Sequence, residues 1–353
     1  MPPASQPSSA PGAMTKTVPV DALFKALADP TRLRIARLLA TMELAVGELA
    51  QVLGQSQPRV SRHAGILCDA GFAERRREGS WVFLRGAGAG EDASALVSAL
   101  ERALAIAEEF DPAFAQGCED DRRKLAAIRS SREDAASQYF ARHAGDWDEL
   151  RALHSSDGDV EAQLVAALGD HDLGAVLDIG TGTGRMAELF AQTGARVVAL
   201  DKNLEMLKVA RAKLQHLPTG KVDLVQGDFA QLPFDGASFD TVLLHQVLHF
   251  APDPETALTE AARVLRAQGR IAIIDFAAHN REELRSRHQH ARLGFSDRQM
   301  AGLLRRSGFN TRDPIALDGG ELVVKIWIGQ RKASSSGEPT PISSATSPSK
   351  TLS

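Results

Sequence analysis

Apolar positions divide the chain into two stretches with different rhythms. Between Val20 and Leu39, Leu23, Leu27, Leu33, Ile35, Leu38 and Leu39 recur at the spacing that lines one helix face. Asp29-Pro30 interrupts this stretch, and proline is tolerated in a first helical turn, so the pattern predicts two helices with the second starting at Pro30. Val46 to Leu53 reads as a short third helix, Gly54-Gln55-Ser56 as a turn, and Gln57 to Ala70 as a longer helix that Ser56 can cap. Gly71 ends that helix. The segment FAERRREGSWVFLRG then predicts two strands, around Ala73 to Arg76 and Trp81 to Leu84, joined at Glu78-Gly79. Asp92 to Ala107 carries Leu96, Leu100, Leu104 and Ile106 along one side, a stripe suited to pairing with a second copy.

Residues 117–174 are polar and helical in pattern and hold Tyr139, Phe140 and Trp147. They read as a helical linker that folds over the C-terminal half of the chain. From Ala175 the rhythm alternates strand and helix: AVLDIG, Arg185 to Thr193, RVVALD, Leu204 to Leu214, VDLVQGD, FDTVLLHQ, Pro254 to Leu265, RIAIIDF. Such alternation predicts a parallel sheet with helices on both faces. The fold class is therefore mixed, a mainly α N-terminal domain with a β-hairpin followed by an α/β domain. The expected boundaries are 17–116, 117–174 and 175–332, between a Pro/Ser/Ala-rich tail at 1–16 and a Ser/Pro/Thr-rich tail at 333–353, both expected to be disordered. Met14 competes with Met1 as the start.

Composition narrows the class. A chain of 353 residues exceeds what one core usually serves, and no run approaches the roughly 18 apolar residues of a membrane span. The N-terminus lacks a basic segment followed by an apolar one, so the expectation is a cytoplasmic protein without a membrane partner. The two cysteines, Cys68 and Cys118, allow at most one disulfide and no thiolate zinc site within the chain. The net charge of −4 argues against nucleic acid, but its distribution does not: between Ile66 and Arg85, Arg75, Arg76, Arg77 and Arg85 outweigh Asp69, Glu74 and Glu78, with Arg59 and Arg62 just upstream.

The loop Asp178-Ile-Gly-Thr-Gly-Thr-Gly184 comes after an apolar strand and precedes a helix, so Gly180, Gly182 and Gly184 let backbone approach a nucleoside. Asp201 ends the next strand, where a carboxylate can accept both ribose hydroxyls. With the GxGxG spacing, GDFAQLPF and FDTVLLHQVLHF, the chain from Leu173 to Gly329 resembles the class I S-adenosylmethionine (SAM) dependent methyltransferases, which have a Rossmann-like fold. The resemblance implies SAM as cofactor, with Asp178, Gly180, Gly182 and Gly184 at its methionine part, Asp201 at the ribose, and Asp228 and Phe229 at the adenine. An NAD-binding unit shares the glycine loop and the acid; the two later segments favour the methyltransferase pattern.

The segments ALADPTRLRIARLLA, ELAVGELAQVLGQSQPRVSRHAGIL and GFAERRREGSWVFLRG resemble the ArsR family of winged helix-turn-helix repressors across residues 20–86. This implies a homodimer on double-stranded DNA with an inverted-repeat operator, contacted by Gln57, Arg59, Ser61, Arg62 and His63 of the recognition helix. Arg75, Arg76 and Arg77 of the wing would meet phosphate or the minor groove, although strand alternation requires at least one to face away. Metal-sensing members carry cysteines in ELCVCDL; here the segment is Glu43-Leu-Ala-Val-Gly-Glu48, so no metal site is expected.

Catalysis is underdetermined, since methyl transfer from a sulfonium needs alignment more than a base. His245 and His249 leave the fourth strand, and Asp275, His279, His288 and His290 come after the fifth. The strand exit favours His249 as a general base. Trp147 and Tyr139 either cap the nucleoside or belong to a core. Two functions remain open: a DNA-binding regulator that methylates an unidentified small acceptor, or one whose second domain is a non-catalytic sensor of SAM or S-adenosylhomocysteine.

Overall fold

A computed structural model describes residues 20–87, 95–147, 157–169, 173–317 and 321–332. The two tails, Met14 and the first residues of the helix expected from Asp92 lie outside the described residues.

In the N-terminal domain, helices α1 (Val20–Leu27), α2 (Pro30–Leu39), α3 (Val46–Leu53) and α4 (Gln57–Asp69) enclose a core built on Leu23, Ile35, Leu49, Leu67 and Phe72. Asp29 starts α2 by accepting a hydrogen bond from the Arg32 amide at 3.0 Å, and Gly54 ends α3 in the left-handed region at φ 63°. Strand β1 (Leu44–Ala45) pairs with β3 (Trp81–Gly86), which pairs with β2 (Ala73–Glu78). The hairpin is longer than its apolar pattern suggested, running through Glu78 to a two-residue turn at Gly79-Ser80. Helix α5 (Ala95–Phe110) lays Leu96, Leu100 and Leu104 on the core and leaves Ile106 and Phe110 exposed, as α1 leaves Val20 and Phe24.

Helix α6 (Pro112–His143) has 32 residues, a length of roughly 48 Å. It runs unbroken through the expected boundary at residue 117, so the linker is a helix shared by both domains. Near its start Asp121 receives the Arg34 guanidinium on both carboxylate oxygens, and Leu125 joins the N-terminal core. Its far end reaches the second domain, leading to a 3-10 turn (Ala144–Asp146) and α7 (Asp157–Leu168).

The second domain contains α7, strands β4 (Ala175–Ile179), β5 (Arg196–Asp201), β6 (Val222–Gln226), β7 (Phe239–His245), β8 (Leu265–Phe276), β9 (Phe309–Thr311), β10 (Ile315–Leu317) and β11 (Val324–Arg331), and helices α8 (Arg185–Gln192), α9 (Leu204–Leu214), α10 (Pro254–Val264), α11 (Glu283–His288) and α12 (Asp297–Arg306). The sheet order is β10-β11-β8-β7-β4-β5-β6. From β6 to β8 the pairs are parallel, as the alternation predicts; β11 runs antiparallel, pairing with β8, β9 and β10, which makes the sheet mixed. One face is covered by Leu164, Phe190 and Leu214 of α7, α8 and α9, the other by Leu258 and Met300 of α10 and α12. The parallel strands point their carboxyl ends toward the N-terminal domain, where α11 meets the hairpin.

That meeting is ionic and centred on a buried carboxylate. Glu78, with a side chain 5% exposed, accepts from Arg285 Nη2 and the Leu293 amide, each at 2.6 Å, and from Arg76 Nη1 at 2.6 Å. Glu43 accepts from Arg292 Nη1 at 2.6 Å and from Arg76 at 3.2 Å. Guanidinium groups cover the wing aromatics: Arg292 and Arg76 lie 4.4 and 4.8 Å from the Phe83 centroid, and Arg285 lies 4.5 Å from that of Trp81. At the turn, the Ser80 amide and hydroxyl donate to Glu282 Oε1 at 2.6 and 3.0 Å. Position 79 favours glycine, because φ is +57° and a Cβ would press on the Glu282 carboxylate, which would have to shift.

A buried ion with one partner removed is costly, about 3 kcal/mol or more. Glu78→Ala is expected to loosen this contact without unfolding either core. Amide exchange across residues 73–86 should then accelerate while β4 and β7 stay protected; equal protection of the hairpin in both proteins would contradict it.

Candidate functional site

A cavity of about 520 Å³ runs from the glycine loop to the wing. Its first wall is the turn after β4. Gly180, at φ +70°, has no room for a Cβ, which would overlap the Val247 side chain. Asp178 is buried and its Oδ2 accepts from the Thr181 hydroxyl at 2.6 Å, which fixes the loop from beneath. At the end of β5, Asp201 accepts from the Gly182 amide at 2.9 Å and the Asn203 amide at 2.8 Å, joining the two strand exits. Burial pushes the Asp201 carboxyl above its ordinary value, and the amides of Asn203, Gly182 and Lys202 only partly counter this. Asp228 and Phe229 also line the cavity; Asp228 binds Lys202 Nζ at 2.8 Å and the Ala230 amide at 2.8 Å.

The end of α6 closes over this wall. Asn203 Nδ2 donates to the Ser137 carbonyl at 2.9 Å. Trp147 stands over the loop, such that a Cβ on Gly182 would lie 3.6 Å from its indole nitrogen. Phe140 meets Trp147 and Phe250 edge to face at 5.3 and 4.8 Å. Tyr139 is buried away from the cavity wall, its Oη 2.8 Å from His288 Nδ1, so of the two candidate caps only Trp147 borders the cavity.

The candidate base is placed differently from its expectation. His249 is 2% exposed and lies behind the wall, Nδ1 hydrogen-bonded to Asp275 Oδ1 at 2.7 Å and its amide donating to Asp275 Oδ2 at 3.1 Å. Its ring sits 4.2 Å from that of His290, which does line the cavity, as does His245. His249 is therefore held behind the residues that line the cavity. Burial and the neighbouring His249 push His279 down to about 4, so it is neutral at physiological pH. Among the described residues no cluster of three or more His, Cys, Asp or Glu is arranged for a metal.

On the N-terminal domain, Gln57, Arg59, Ser61 and Arg62 are exposed along α4. His63 is half-buried, its Nδ1 3.7 Å from Asp29 Oδ1. Arg75 and Arg77 are exposed. Arg76 points from the opposite face into Glu43 and Glu78, which removes it from the set available to a phosphate in this arrangement. The residues that carry the junction, Glu43, Glu78, Arg285 and Arg292, gave no local signal. Each is an ordinary charged residue in sequence, and only tertiary packing brings them together.

These residues fit a nucleoside: a glycine cradle that a Cβ would fill, beside a buried carboxylate at the end of the second strand. The family described as "Methyltransferase domain" matches residues 177–273, and that described as "Bacterial regulatory protein, arsR family" matches residues 29–75. The chain thus joins an ArsR-family helix-turn-helix domain to a class I methyltransferase domain. A demethylmenaquinone methyltransferase of Lactococcus lactis is 32% identical over 149 residues, 40% of this chain and 59% of that protein. An uncharacterized methyltransferase of Mycobacterium tuberculosis is 35% identical over 142 residues, 40% of this chain and 51% of its own length. A putative methyltransferase from Bacillus halodurans, 21% identical, covers 49% of this chain and 99% of its own with a TM-score of 0.44. The chain spans about half the length of the curated relatives it matches. No helix among the described residues is long and apolar enough to cross a membrane.

Ribose hydroxyls bind a carboxylate better than a carboxylic acid, which has one acceptor fewer. Because the Asp201 pKa is raised, SAM affinity measured by calorimetry should weaken as pH falls through that raised value. Asp201→Asn should bind SAM at least about tenfold more weakly above the raised value, by the usual worth of a charged hydrogen bond, and lose this pH dependence. An unchanged pH profile in the variant would rule out Asp201 as its source.

Proposed function

We propose that this chain is a DNA-binding transcriptional regulator whose second domain binds SAM and methylates a small acceptor. The observation that carries the reading is the cavity that begins at the glycine loop and ends against the wing. When bound, SAM supplies a methyl group already activated on a sulfonium. The chain's own residues then have to align an acceptor and exclude water, tasks suited to the Phe140, Trp147 and Phe250 cluster. In this reading Asp178, Gly180, Gly182, Gly184, Asp201, Asp228 and Phe229 hold the cofactor. Residues 17–116 bind DNA, 175–332 bind SAM, and 117–174 serve both.

For DNA, the reading rests on exposed Gln57, Arg59, Ser61 and Arg62 with Arg75 and Arg77 beside them. A two-fold dimer on an inverted repeat is supported by the exposed Ile106 and Phe110 of α5 and Val20 and Phe24 of α1.

A non-catalytic sensor of SAM or S-adenosylhomocysteine is the second reading. It is favoured by the presence of wing residues on the cavity wall. Methyl-labelled SAM incubated with metabolite extract separates the two: label in a new small molecule supports the enzyme, and SAM binding with no transfer supports the sensor.

Either reading ties the ligand to DNA only as far as ligand affinity differs between free and DNA-bound protein. Fluorescence anisotropy on the chain's own promoter region at fixed salt should show a several-fold change in affinity with saturating SAM or S-adenosylhomocysteine. Arg62→Ala should weaken DNA binding by about 1–3 kcal/mol while leaving SAM affinity unchanged. Equal DNA affinity with and without ligand would mean two tethered but independent activities.

A further inference from the structure

The wing meets the second domain at two carboxylates of different character. Glu78 is held between Arg76 and Arg285 with its side chain 5% exposed. Glu282, just ahead of α11, is 39% exposed and takes the turn that follows Glu78: the Ser80 amide and hydroxyl both donate to its Oε1, at 2.6 and 3.0 Å. Its other oxygen lies 3.4 Å from Arg285 Nε. Exposed ionic contacts contribute little, because water competes for both partners, so another anion can displace Glu282 at small cost. The same exchange at Glu78 would leave buried charges without partners.

The turn suits an anion whatever its source. Gly79 stands at φ +57° with no side chain between the backbone and the carboxylate, and exposed Ser80 offers two donors. Arg77, also exposed, is folded back on the turn by its Nε, which donates to the Gly79 carbonyl at 3.2 Å. A backbone amide, a hydroxyl and a guanidinium at one bend favour a singly charged oxyanion. Arg75 and Arg77 point outward on this strand, and α4, which packs on it, exposes Arg59 and Arg62. The anion that such a face meets in a row is the phosphodiester of DNA, whose oxygens accept hydrogen bonds as carboxylate oxygens do.

We infer that the Gly79-Ser80 turn is a binding site for a DNA backbone phosphate and that Glu282 competes for it, so that the second domain holds the wing tip back from DNA until this carboxylate swings away. The inference rests on the reading of the N-terminal domain as one that binds DNA. It gives the two carboxylates opposite duties. Glu78 keeps the hairpin docked whether or not DNA is bound, and Glu282 is the exchangeable contact. Ser80 then gives up two hydrogen bonds to Glu282 and makes their equivalents to phosphate, which leaves the rest of the junction in place.

Fluorescence anisotropy on the full chain with a duplex from its own promoter region, at fixed salt, tests it. Glu282→Ala should bind DNA at least about threefold more tightly than wild type, the worth of a hydrogen bond freed for the phosphate. Glu283→Ala is the charge control: Glu283 is exposed in the same segment, but Arg281 at 2.7 Å already offsets its charge, and DNA affinity should move less than about twofold. Ser80→Ala should weaken DNA binding at least about threefold in the Glu282→Ala background and less than about twofold in wild type, where Ser80 exchanges one acceptor for another. Thermal unfolding midpoints within about 4 °C of wild type show that the variants fold. Equal DNA affinity of wild type and Glu282→Ala, an equal gain from Glu283→Ala, or the same Ser80→Ala effect in both backgrounds would overturn the inference while the DNA-binding reading stands. Failure of both wild type and Glu282→Ala to bind DNA would overturn that reading itself.

Discussion

The arrangement of the two domains depends on one buried carboxylate. Glu78 sits at the tip of a two-stranded hairpin, a place where chains usually present polar residues to water, yet it is withdrawn between Arg76, Arg285 and the Leu293 amide. Removing a carboxylate from water costs several kcal/mol, and the structure offsets that cost with hydrogen bonds from two guanidinium groups and one backbone amide. Because every bond has a definite direction, the carboxylate fixes the register of the hairpin against α11 in a way that an apolar contact would not. The pleat does the rest. With Glu78 inward, Arg76, Trp81 and Phe83 must also be inward, and Arg75 and Arg77 outward.

Asp201 shows a comparable tension inside one domain. Its pKa is raised, so the folded chain holds that proton more tightly than the unfolded chain does. Ionising this carboxyl consequently costs stability, a cost absent below its unfolded pKa and fully present only above the raised one. A carboxyl whose ionisation opposes the fold therefore stands at the exit of a strand and faces a glycine cradle. The amides of Gly182 and Asn203 limit the cost and also aim the carboxylate.

How much of this was legible in the sequence depends on where each signal resides. The helices of the N-terminal domain, the hairpin and the parallel half of the sheet are local patterns, with Leu23 to Leu39 at helical spacing and AVLDIG and RVVALD as strands, and they formed where the pattern placed them. The glycine loop with Asp201 was legible because its chemistry needs those residue types at those positions. The antiparallel β11 was not, since its pairing with β8 is a long-range choice that composition does not record. The boundary expected at 117 falls inside α6, since a polar helix reads as a linker even when its two ends are anchored in different cores. The burial of His249 was not legible, because a strand exit does not record side-chain direction, and Asp275 turns the ring inward. The wing arginines divide by strand alternation, but which of the three faces inward depends on Glu43, Glu78 and the second domain.

Helix α6 sets the scale on which the domains can influence one another. It is held at one end by Arg34 on Asp121 and at the other by Asn203 on the Ser137 carbonyl, so a large rotation of one domain against the other must bend the helix or break an anchor. The hairpin is held differently. Its attachment to the second domain is the ionic cluster at one face and the Glu282 contact at its turn, both of which a small sliding motion would alter. A ligand filling the space beside Trp81 and Phe83 would act on the hairpin directly, and the hairpin carries Arg75 and Arg77 on its other face. Coupling between the nucleoside end of the cavity and DNA therefore needs no wire through the domain cores. It needs only that the hairpin have two positions that the two ligands favour unequally.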